Sequence, residues 1–254
     1  MMQEPRISVI TVCYNSVATI DRAIASVRAQ DWPNIEHIII DGGSSDGTLA
    51  IIERHRAYVA TIVSEPDNGI YDAMNKGLER STGDIVCFLN SDDYYASPEV
   101  LSQVAVRMCE EGLDALMGDV ALFHASKPGR MVRRYRSGRF SPESLAWGWM
   151  PAHPALFLRR AVIQRVGRFK TNYRIAGDFE FIIRAFHGQE MHYRHLPEVL
   201  VNMQSGGAST AGLKAKFRLN QEVLRACREN GLQTNIFKIL SKYPMKLWEM
   251  ISLK

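Results

Sequence analysis

Long apolar runs are missing from this sequence of 254 residues. A membrane-spanning helix needs roughly 18 to 20 apolar residues in succession, and no segment reaches that length. Residues 1–6 contain a proline, a glutamate and an arginine and lack the apolar centre of a signal peptide. The sequence therefore predicts a soluble or peripheral protein that does not span a membrane, and the expected location, which rests on the cysteines, is the cytoplasm.

Paired cysteines are also missing, because none of the four cysteines lies in a CxxC motif or in a His/Cys cluster with zinc spacing. Cys13 and Cys87 lie in apolar runs, where a buried structural thiol is expected. This pattern favours a reducing compartment. The net charge of +4 is too small to indicate nucleic-acid binding, so no nucleic-acid partner is expected.

The first half of the chain contains a regular alternation of strand and helix patterns. Short apolar, β-branched segments indicate buried parallel strands, and apolar residues at helical spacing indicate helices between them. The predicted strands are residues 7–13, 35–40, 61–63 and 84–89, and the predicted helices are residues 16–30, 46–56, 70–80 and 98–111. This alternation predicts an α/β fold with a mostly parallel sheet flanked by helices.

The second half has a less regular pattern. The predicted strands are residues 116–123, 131–136, 155–158 and 199–201, and the predicted helices are a segment ending near residue 166, 178–186, 213–230 and 235–254. The last stretch mixes apolar and aromatic residues with lysine, which is typical of an interfacial helix. A helix docked on the domain, or a dimer contact, explains the same pattern equally well.

Two adjacent carboxylates, Asp92 and Asp93, follow the fourth predicted strand. Ligands bind at the carboxyl ends of the strands in parallel sheets, so this pair is expected at a binding edge. Adjacent carboxylates repel each other, and Mg²⁺ or Mn²⁺ would offset that repulsion. On this pair alone, a metal site and an acidic turn before the helix at Pro98 are equally well supported.

Two further polar segments follow predicted strands. The segment after the second strand runs Asp-Gly-Gly-Ser-Ser-Asp-Gly-Thr from Asp41, and its glycines would let a ligand approach the backbone closely. The segment after the third strand begins at Asp67 and continues into a helix that carries Asn75 and Lys76. Taken singly, a capped turn and a solvated helix face explain these segments at least as well as a binding site.

The order of these segments resembles the inverting family 2 glycosyltransferases over roughly residues 6 to 210. The matching motifs are, in order, Tyr14-Asn15, residues 41–48, Asn75-Lys76-Gly77, Gly83-Asp84 and Asp92-Asp93. The resemblance implies a GT-A fold, a nucleotide-diphospho-sugar donor, Mn²⁺ or Mg²⁺, and inversion at the anomeric carbon. It also implies a catalytic domain over 1–212, with a donor-binding half (1–115) and an acceptor half (116–212), and a C-terminal helical extension over 213–254.

The resemblance implies roles for single residues as well. It places donor nucleotide contacts at Tyr14, Asn15, Asp41, Asp67, Lys76 and Asp92, and it places the metal at Asp92 and Asp93. Two positions depart from the family pattern. Gly42 stands where a second acidic residue is common, and Asn90 stands where an aspartate is common. Because Asn90 is not acidic, Asp92 and Asp93 are expected to bind the cation.

An inverting transfer needs a carboxylate within hydrogen-bond reach of the acceptor hydroxyl. Asp178 begins an apolar helix and matches the family's base, and Arg184 completes that match. Glu180 is the alternative base, and helix capping is the alternative role of Asp178. His153 is expected either at the diphosphate or acceptor or as a structural histidine. The glycine-rich loop 206–210 resembles a mobile covering segment, although a plain linker fits it nearly as well.

The resemblance implies a role in bacterial cell-surface polysaccharide assembly, with a glycan or lipid-linked glycan as acceptor. Arginines between residues 130 and 139 suit the phosphate of a phospholipid or lipid-diphosphate acceptor, although most such runs are solvated surface. The lysine-containing tail is compatible with peripheral contact at the inner face of the plasma membrane. One alternative is a catalytically inactive module that binds nucleotide sugar in a membrane-associated assembly complex. Another is a nucleotidyltransferase, which would need a basic glycine-rich loop after the first strand. The joint presence of Asp92, Asp93 and Asp178 favours the enzyme.

Overall fold

The structure is a computed structural model that describes residues 4–124, 127–205 and 212–241, without the side chains of 127–130 and 205. The strands are β1 (Ile7–Cys13), β2 (Ile35–Asp41), β3 (Thr61–Ser64), β4 (Ile85–Phe88), β5 (Tyr94–Tyr95), β6 (Ala115–His124), β7 (Lys127–Tyr135), β8 (Leu156–Arg159) and β9 (Tyr193–Ser205). The helices are α1 (Ile20–Arg28), α2 (Thr48–Arg54), α3 (Ile70–Arg80), α4 (Val100–Glu110), α5 (Arg160–Val166), α6 (Gly177–Phe186), α7 (Leu213–Glu229) and α8 (Ile236–Leu240).

The strands of the described residues form one mixed sheet in the order β3-β2-β1-β4-β8-β6-β9-β5, with β7 paired to β6. The first four strands of this order are parallel, as predicted from the alternation in the first half. The second half adds antiparallel pairings of β8 with β4 and β6, of β7 with β6 and of β5 with β9. Strand β9 is much longer than the predicted 199–201 and pairs in parallel with β6.

Strand β1 shows why its sequence is a continuous apolar run. Ile7 and Val9 face one core cluster, and Ile10 and Val12 face another, so both faces of the strand are buried. Each fully buried aliphatic side chain of this kind stabilises the fold by about 1.5–3 kcal/mol. Helices therefore cover both sides of the sheet, which leaves the carboxyl ends of its strands as the edge where a ligand can enter.

Several predicted boundaries shift by a few residues. Helix α1 begins at Ile20 and not at residue 16, and α2 begins at Thr48 and not at residue 46. Asp46 instead accepts a hydrogen bond from the backbone N–H of Thr48 (3.0 Å) and so caps the helix from outside. None of the four cysteines forms a disulfide within the described residues.

The C-terminal helices pack on the rest of the protein. Val223 and Ala226 of α7 lie in the same core cluster as Phe179 of α6, and Ile239 of α8 is fully buried in it. The predicted division at residue 212 stays a prediction. The predicted loop 206–210 and the part of the last helix beyond residue 241 lie outside the described residues. No helix in the described ranges is long and apolar enough to cross a bilayer.

Candidate active site

A cavity of ≈ 370 Å³ opens at the carboxyl ends of the strands. Its walls come from α3, the segment after β4, β6, β9, the segment before β8, α6 and α7. The titratable side chains that line it include Asp92, His153 and Asp178. Residues that are more than eighty positions apart in the chain therefore meet in one concave site, which has the size expected of a small-molecule pocket.

The turn after β1 is tied to the turn after β2. Asn15 adopts a left-handed backbone conformation (φ 48°), which is uncommon outside glycine. Its N–H donates to Ser44 Oγ (2.7 Å), and its Oδ1 accepts from the N–H of Ser45 (3.0 Å). Tyr14 beside it is 64% exposed. These bonds hold the two turns together and leave the Tyr14 ring accessible to a ligand.

Asp41 has a structural function in the same turn. Its side chain is fully buried and accepts hydrogen bonds from the N–H of Ser44 (3.1 Å) and from Ser64 Oγ (2.6 Å). The carboxylate therefore connects the ends of β2 and β3. Its predicted contact with the nucleotide stays a prediction, and in this arrangement the carboxylate fixes the shape of the turn.

The carboxylate of Asp67 lies over Gly42. A Cβ atom at Gly42 would overlap Oδ2 of Asp67 and would lie 3.5 Å from the ring of Tyr14. Asp67 Oδ1 also accepts from the N–H of Gly69 (2.8 Å), which fixes the carboxylate. The carboxylate of Asp67 thus lies beside Gly42, the position where a second acidic residue is common in the family. Sequence reasoning missed this pairing because the two residues lie on different loops.

Lys76 is engaged with the loop that carries Asp67. Its Nζ donates to the carbonyl of Pro66 (2.9 Å) and pairs with Glu65 (3.0 Å). The ammonium therefore ties helix α3 to this loop. A direct contact of Lys76 with the nucleotide remains a prediction, and the bonds in the structure give it a supporting position.

Asp92 and Asp93, the acid pair, lie in the turn between β4 and β5. Burial raises the pKa of Asp92 above its ordinary value, and burial together with the neighbouring Asp92 raises the pKa of Asp93 well above its ordinary value. Asp92 lines the cavity, whereas Asp93 is only 1% exposed. Within the described residues, Asp93 Oδ1 and Asn90 Oδ1 are buried without a hydrogen-bond partner.

These residues fit a hard divalent cation. Unpartnered carboxylate and amide oxygens are the ligands that Mg²⁺ and Mn²⁺ prefer, and a cation would offset the repulsion between the two carboxylates. The described ranges hold no group of three or more His, Cys, Asp or Glu side chains arranged for a metal. A shell completed by substrate phosphates needs only one or two carboxylates.

Asp178 lines the same cavity from the first turn of α6. Burial raises its pKa to about 6, against the hydrogen bond that it accepts from the N–H of Phe179 (2.8 Å). The hydroxyl of Tyr71 lies 3.4 Å from Asp178 Oδ1 and donates to the carbonyl of Ile175 (2.6 Å). A carboxyl with a pKa near neutrality is suited to accept a proton. The contact with Tyr71 spans 107 residues and has no signal in the sequence.

Glu180, the alternative base, is placed differently. Its side chain is fully buried and forms ion pairs with Arg184 (2.8 Å) and Lys170 (3.0 Å). Residues two positions apart on a helix lie on different faces, so α6 directs Asp178 to the cavity and Glu180 to this internal cluster. The geometry therefore favours Asp178 over Glu180 as the base, and the match through Arg184 reflects an ion pair inside the fold.

His153 lines the cavity and is largely buried. Its ring stacks on Phe88 with centroids 5.2 Å apart and meets the edge of Phe169 at 6.1 Å. Burial lowers its pKa to about 4, so the imidazole is neutral at neutral pH. A neutral ring can donate from one nitrogen and accept at the other. Its chemistry therefore suits a hydrogen bond to substrate better than charge compensation of a diphosphate.

Solved structures identify the fold. TarS from S. aureus has a TM-score of 0.67 and 22% identity over 86% of this chain, which spans only 39% of the TarS chain. TarS 1–349 in complex with UDP-GlcNAc has a TM-score of 0.64 and 20% identity, covering 87% of this chain and 66% of that one. A mannosyltransferase from Pyrobaculum calidifontis in complex with GDP-Man and Mn²⁺ has a TM-score of 0.65 and 19% identity, covering 94% and 69%. The chain has the GT-A fold.

Sequence comparison identifies the family. The model of Glycosyl transferase family 2 matches residues 8–183. An uncharacterised glycosyltransferase of Mycobacterium tuberculosis is 33% identical over 196 residues, which cover 73% of this chain and 70% of the relative. The chain belongs to glycosyltransferase family 2 and is a glycosyltransferase.

Proposed function

We propose that this glycosyltransferase moves a sugar from a nucleotide-diphospho-sugar to a hydroxyl acceptor, with inversion at the anomeric carbon. The observation that carries the proposal is the presence of Asp178 and Asp92 in the walls of one cavity. One carboxyl has a pKa of about 6 and suits proton transfer, and the other belongs to the buried acid pair. This arrangement supports the proposal because a base and a pair of carboxylates for a metal would face one bound substrate.

The mechanism follows from these positions. Asp178 accepts the proton of the acceptor hydroxyl while that oxygen attacks the anomeric carbon from the side opposite the departing nucleoside diphosphate, and this direct displacement inverts the anomeric carbon. Asp92 and Asp93 would hold Mn²⁺ or Mg²⁺, which supplies positive charge against the leaving diphosphate. Neutral His153 is proposed to hydrogen-bond the diphosphate or the acceptor.

The nucleotide is assigned to the surface formed by Tyr14, Asn15, Gly42 and Asp67. Tyr14 offers an exposed aromatic ring, and the carboxylate of Asp67 offers hydrogen-bond acceptors beside it. Lys76 and Asp41 support this surface through the two loops. TarS in complex with UDP-GlcNAc and the mannosyltransferase in complex with GDP-Man and Mn²⁺ support a nucleotide-sugar donor and a divalent metal.

The acceptor is proposed to be a glycan or lipid-linked glycan of bacterial cell-surface polysaccharide assembly, handled in the cytoplasm beside the membrane. Exposed apolar residues near the C-terminus support a peripheral contact with lipid. Leu213 is 84% exposed, Phe217 67% and Phe237 81%, and lysines accompany each of them. Apolar side chains beside basic residues are typical of interfacial helices.

The test is a panel of UDP-, GDP- and dTDP-sugars, each with Mn²⁺ or EDTA, measured by thermal shift and then by turnover. One donor is expected to stabilise the protein only with metal, and Asp92→Asn is expected to lose that stabilisation. Asp178→Asn is expected to keep donor binding and to lose turnover by about 10²–10⁴-fold. Normal turnover by Asp178→Asn would refute the assignment of the base. Donor binding without turnover in the unsubstituted chain would favour the inactive binding module.

A further inference from the structure

The segment that precedes Asp178 is bound by a carboxylate from the C-terminal helix α7. Glu222 accepts hydrogen bonds from the backbone N–H groups of Arg174 (3.1 Å), Ile175 (2.8 Å) and Ala176 (2.9 Å). Three successive N–H groups that converge on one acceptor form an anion-binding concavity. This segment leads directly into α6, whose first turn carries Asp178.

The contact also occupies the N-terminal end of α6. The residue that precedes the helix is Ala176, whose side chain cannot cap it, and in the first turn the N–H of Phe179 donates to the Asp178 carboxylate. Glu222 supplies a negative charge at that end from a helix that is distant in sequence, where the dipole of α6 favours an anion. Charge-assisted hydrogen bonds of this kind are stronger than neutral ones. The start of α6 is therefore fixed by α7.

Helix α3, which precedes this segment in the chain, also binds it. The hydroxyl of Tyr71 in α3 donates to the carbonyl of Ile175 (2.6 Å), and a Cβ at Gly177 would lie 2.7 Å from the Tyr71 ring. Asn75, one turn further along α3, exchanges two buried hydrogen bonds with the backbone of Phe169 (2.8 and 2.9 Å). The chain before Asp178 is thus bound by α3 on one side and by α7 on the other.

We propose that Glu222 is a positioning residue for the catalytic base: it holds residues 174–176 and thereby sets the place and the electrostatic environment of Asp178. The proposal rests on the proposed function for its claim that Asp178 is the base. Glu222 itself does not touch the reacting atoms. It lies beyond the segment matched by the family model, which ends at residue 183.

The charge of Glu222 affects the pKa of Asp178, and a merely structural residue would have no such effect. Burial is the main cause of the raised pKa of Asp178, the hydrogen bonds from Phe179 and Tyr71 lower that pKa, and the like charge of Glu222 adds a smaller rise. The other ionisable groups that share the cavity with Asp178 include Asp92, His153 and Arg174. Removing the charge at position 222 while these groups stay unchanged must lower the pKa of Asp178.

The experiment compares Glu222→Ala, Glu222→Gln and the matched control Gln221→Ala, an exposed neighbour on α7. Amide hydrogen exchange is measured at residues 174–176, and the Asp178 carboxyl is titrated by ¹³C NMR, with Asp178→Asn to assign its signal. Glu222→Ala is expected to speed exchange at 174–176 by about tenfold or more, because three charge-assisted bonds are lost. Gln221→Ala is expected to leave both measurements unchanged.

Glu222→Gln keeps an acceptor but removes the charge. It is expected to retain most of the exchange protection and to lower the pKa of Asp178, since one like charge is lost. The rising limb of kcat/KM against pH should move to lower pH by the same amount. Unchanged exchange in Glu222→Ala, or an unchanged Asp178 titration in Glu222→Gln, would overturn the proposal. If Glu222→Ala does not fold, the titration of Asp178 in Glu222→Gln is sufficient to test the proposal.

Exchange and titration need no substrate. They therefore test the coupling of Glu222 to Asp178 even if the proposed transfer reaction is wrong. Full activity of Asp178→Asn would remove the base assignment while leaving the measured contact intact, so the two failures can be told apart.

Discussion

At the scale of single residues, the space above Gly42 decides whether the Asp67 carboxylate can keep its position on the proposed nucleotide surface. A methyl group at Gly42 would overlap the Asp67 carboxylate and force it out of its position. Gly42→Ala is therefore expected to weaken nucleotide binding by about tenfold, since a hydrogen-bonding group is displaced. Isothermal titration with UDP and GDP measures the change.

The control for that substitution is Gly112→Ala. Gly112 has a positive φ of 60°, and a Cβ at this position would meet no atom within 4 Å, so alanine there costs stability without changing the nucleotide surface. Equal nucleotide affinities for Gly42→Ala and the unsubstituted protein would contradict the role given to the Asp67 carboxylate.

The raised pKa of Asp178, the proposed base, should reduce the stability of the fold near neutral pH. Its folded pKa of about 6 lies above the ordinary value of 3.8, so the folded state holds this proton more tightly than the unfolded state. Stability from this group is complete below the unfolded pKa and is lost as pH rises through about 6. Asp178→Asn is expected to raise the free energy of unfolding at pH 7.5 by about 3 kcal/mol.

Urea unfolding at pH 4 and at pH 7.5 measures that gain, which should be nearly absent at pH 4. Asp31→Asn, at an exposed carboxyl, is the control and should show no such difference. A gain of equal size at both pH values would indicate that packing, and not the raised pKa, is responsible.

At the scale of elements, helix α6 directs the proposed base Asp178 to the cavity and Glu180 to an internal cluster of charged side chains. Glu180→Gln would leave Lys170 and Arg184 beside a neutral side chain in a buried cluster. We expect it to lower the free energy of unfolding by about 1–3 kcal/mol, less than for a fully buried ion pair, because the side chains of Lys170 and Arg184 are 39% and 20% exposed. The pH dependence of turnover should stay unchanged.

Urea unfolding and a pH–rate profile measure these two effects separately. Glu190→Gln, at an exposed glutamate, is the control. A shifted pH profile in Glu180→Gln would show that Glu180 takes part in proton transfer after all.

Some elements of the fold could be predicted from the sequence, and others could not. Strands β1 and β2 were predictable to within a residue because parallel strands covered on both faces are continuous apolar runs. Strand β9 was predicted only over 199–201, since its first half contains Arg194 and His195, which obscure the pattern. The bonds of Glu222 and Tyr71 to the segment before Asp178 span about 50 and 100 residues, and nothing in local sequence specifies such contacts.

At the scale of the whole molecule, the proposed contact with lipid depends on which part of the C-terminal region is removed. A chain ending at Gly231 would lose Leu232 and Ile239, both of which lie in the core, so it would confound membrane binding with unfolding. A chain ending at Ser241 keeps the described helices. The double substitution Leu213→Ser and Phe217→Ser removes exposed apolar surface from α7 without disturbing the core.

Co-sedimentation with vesicles that contain about one-third anionic lipid tests the contact, because burial of apolar side chains and attraction of basic residues both contribute. The double variant is expected to lose most of the vesicle-bound fraction, whereas Val106→Ser, at an exposed valine of α4, should lose none. A loss that occurs only on truncation at Ser241 would place the contact in the tail. Equal recovery of all variants with the full chain would remove the proposal of peripheral attachment, and the acceptor would then have to reach the active site from solution.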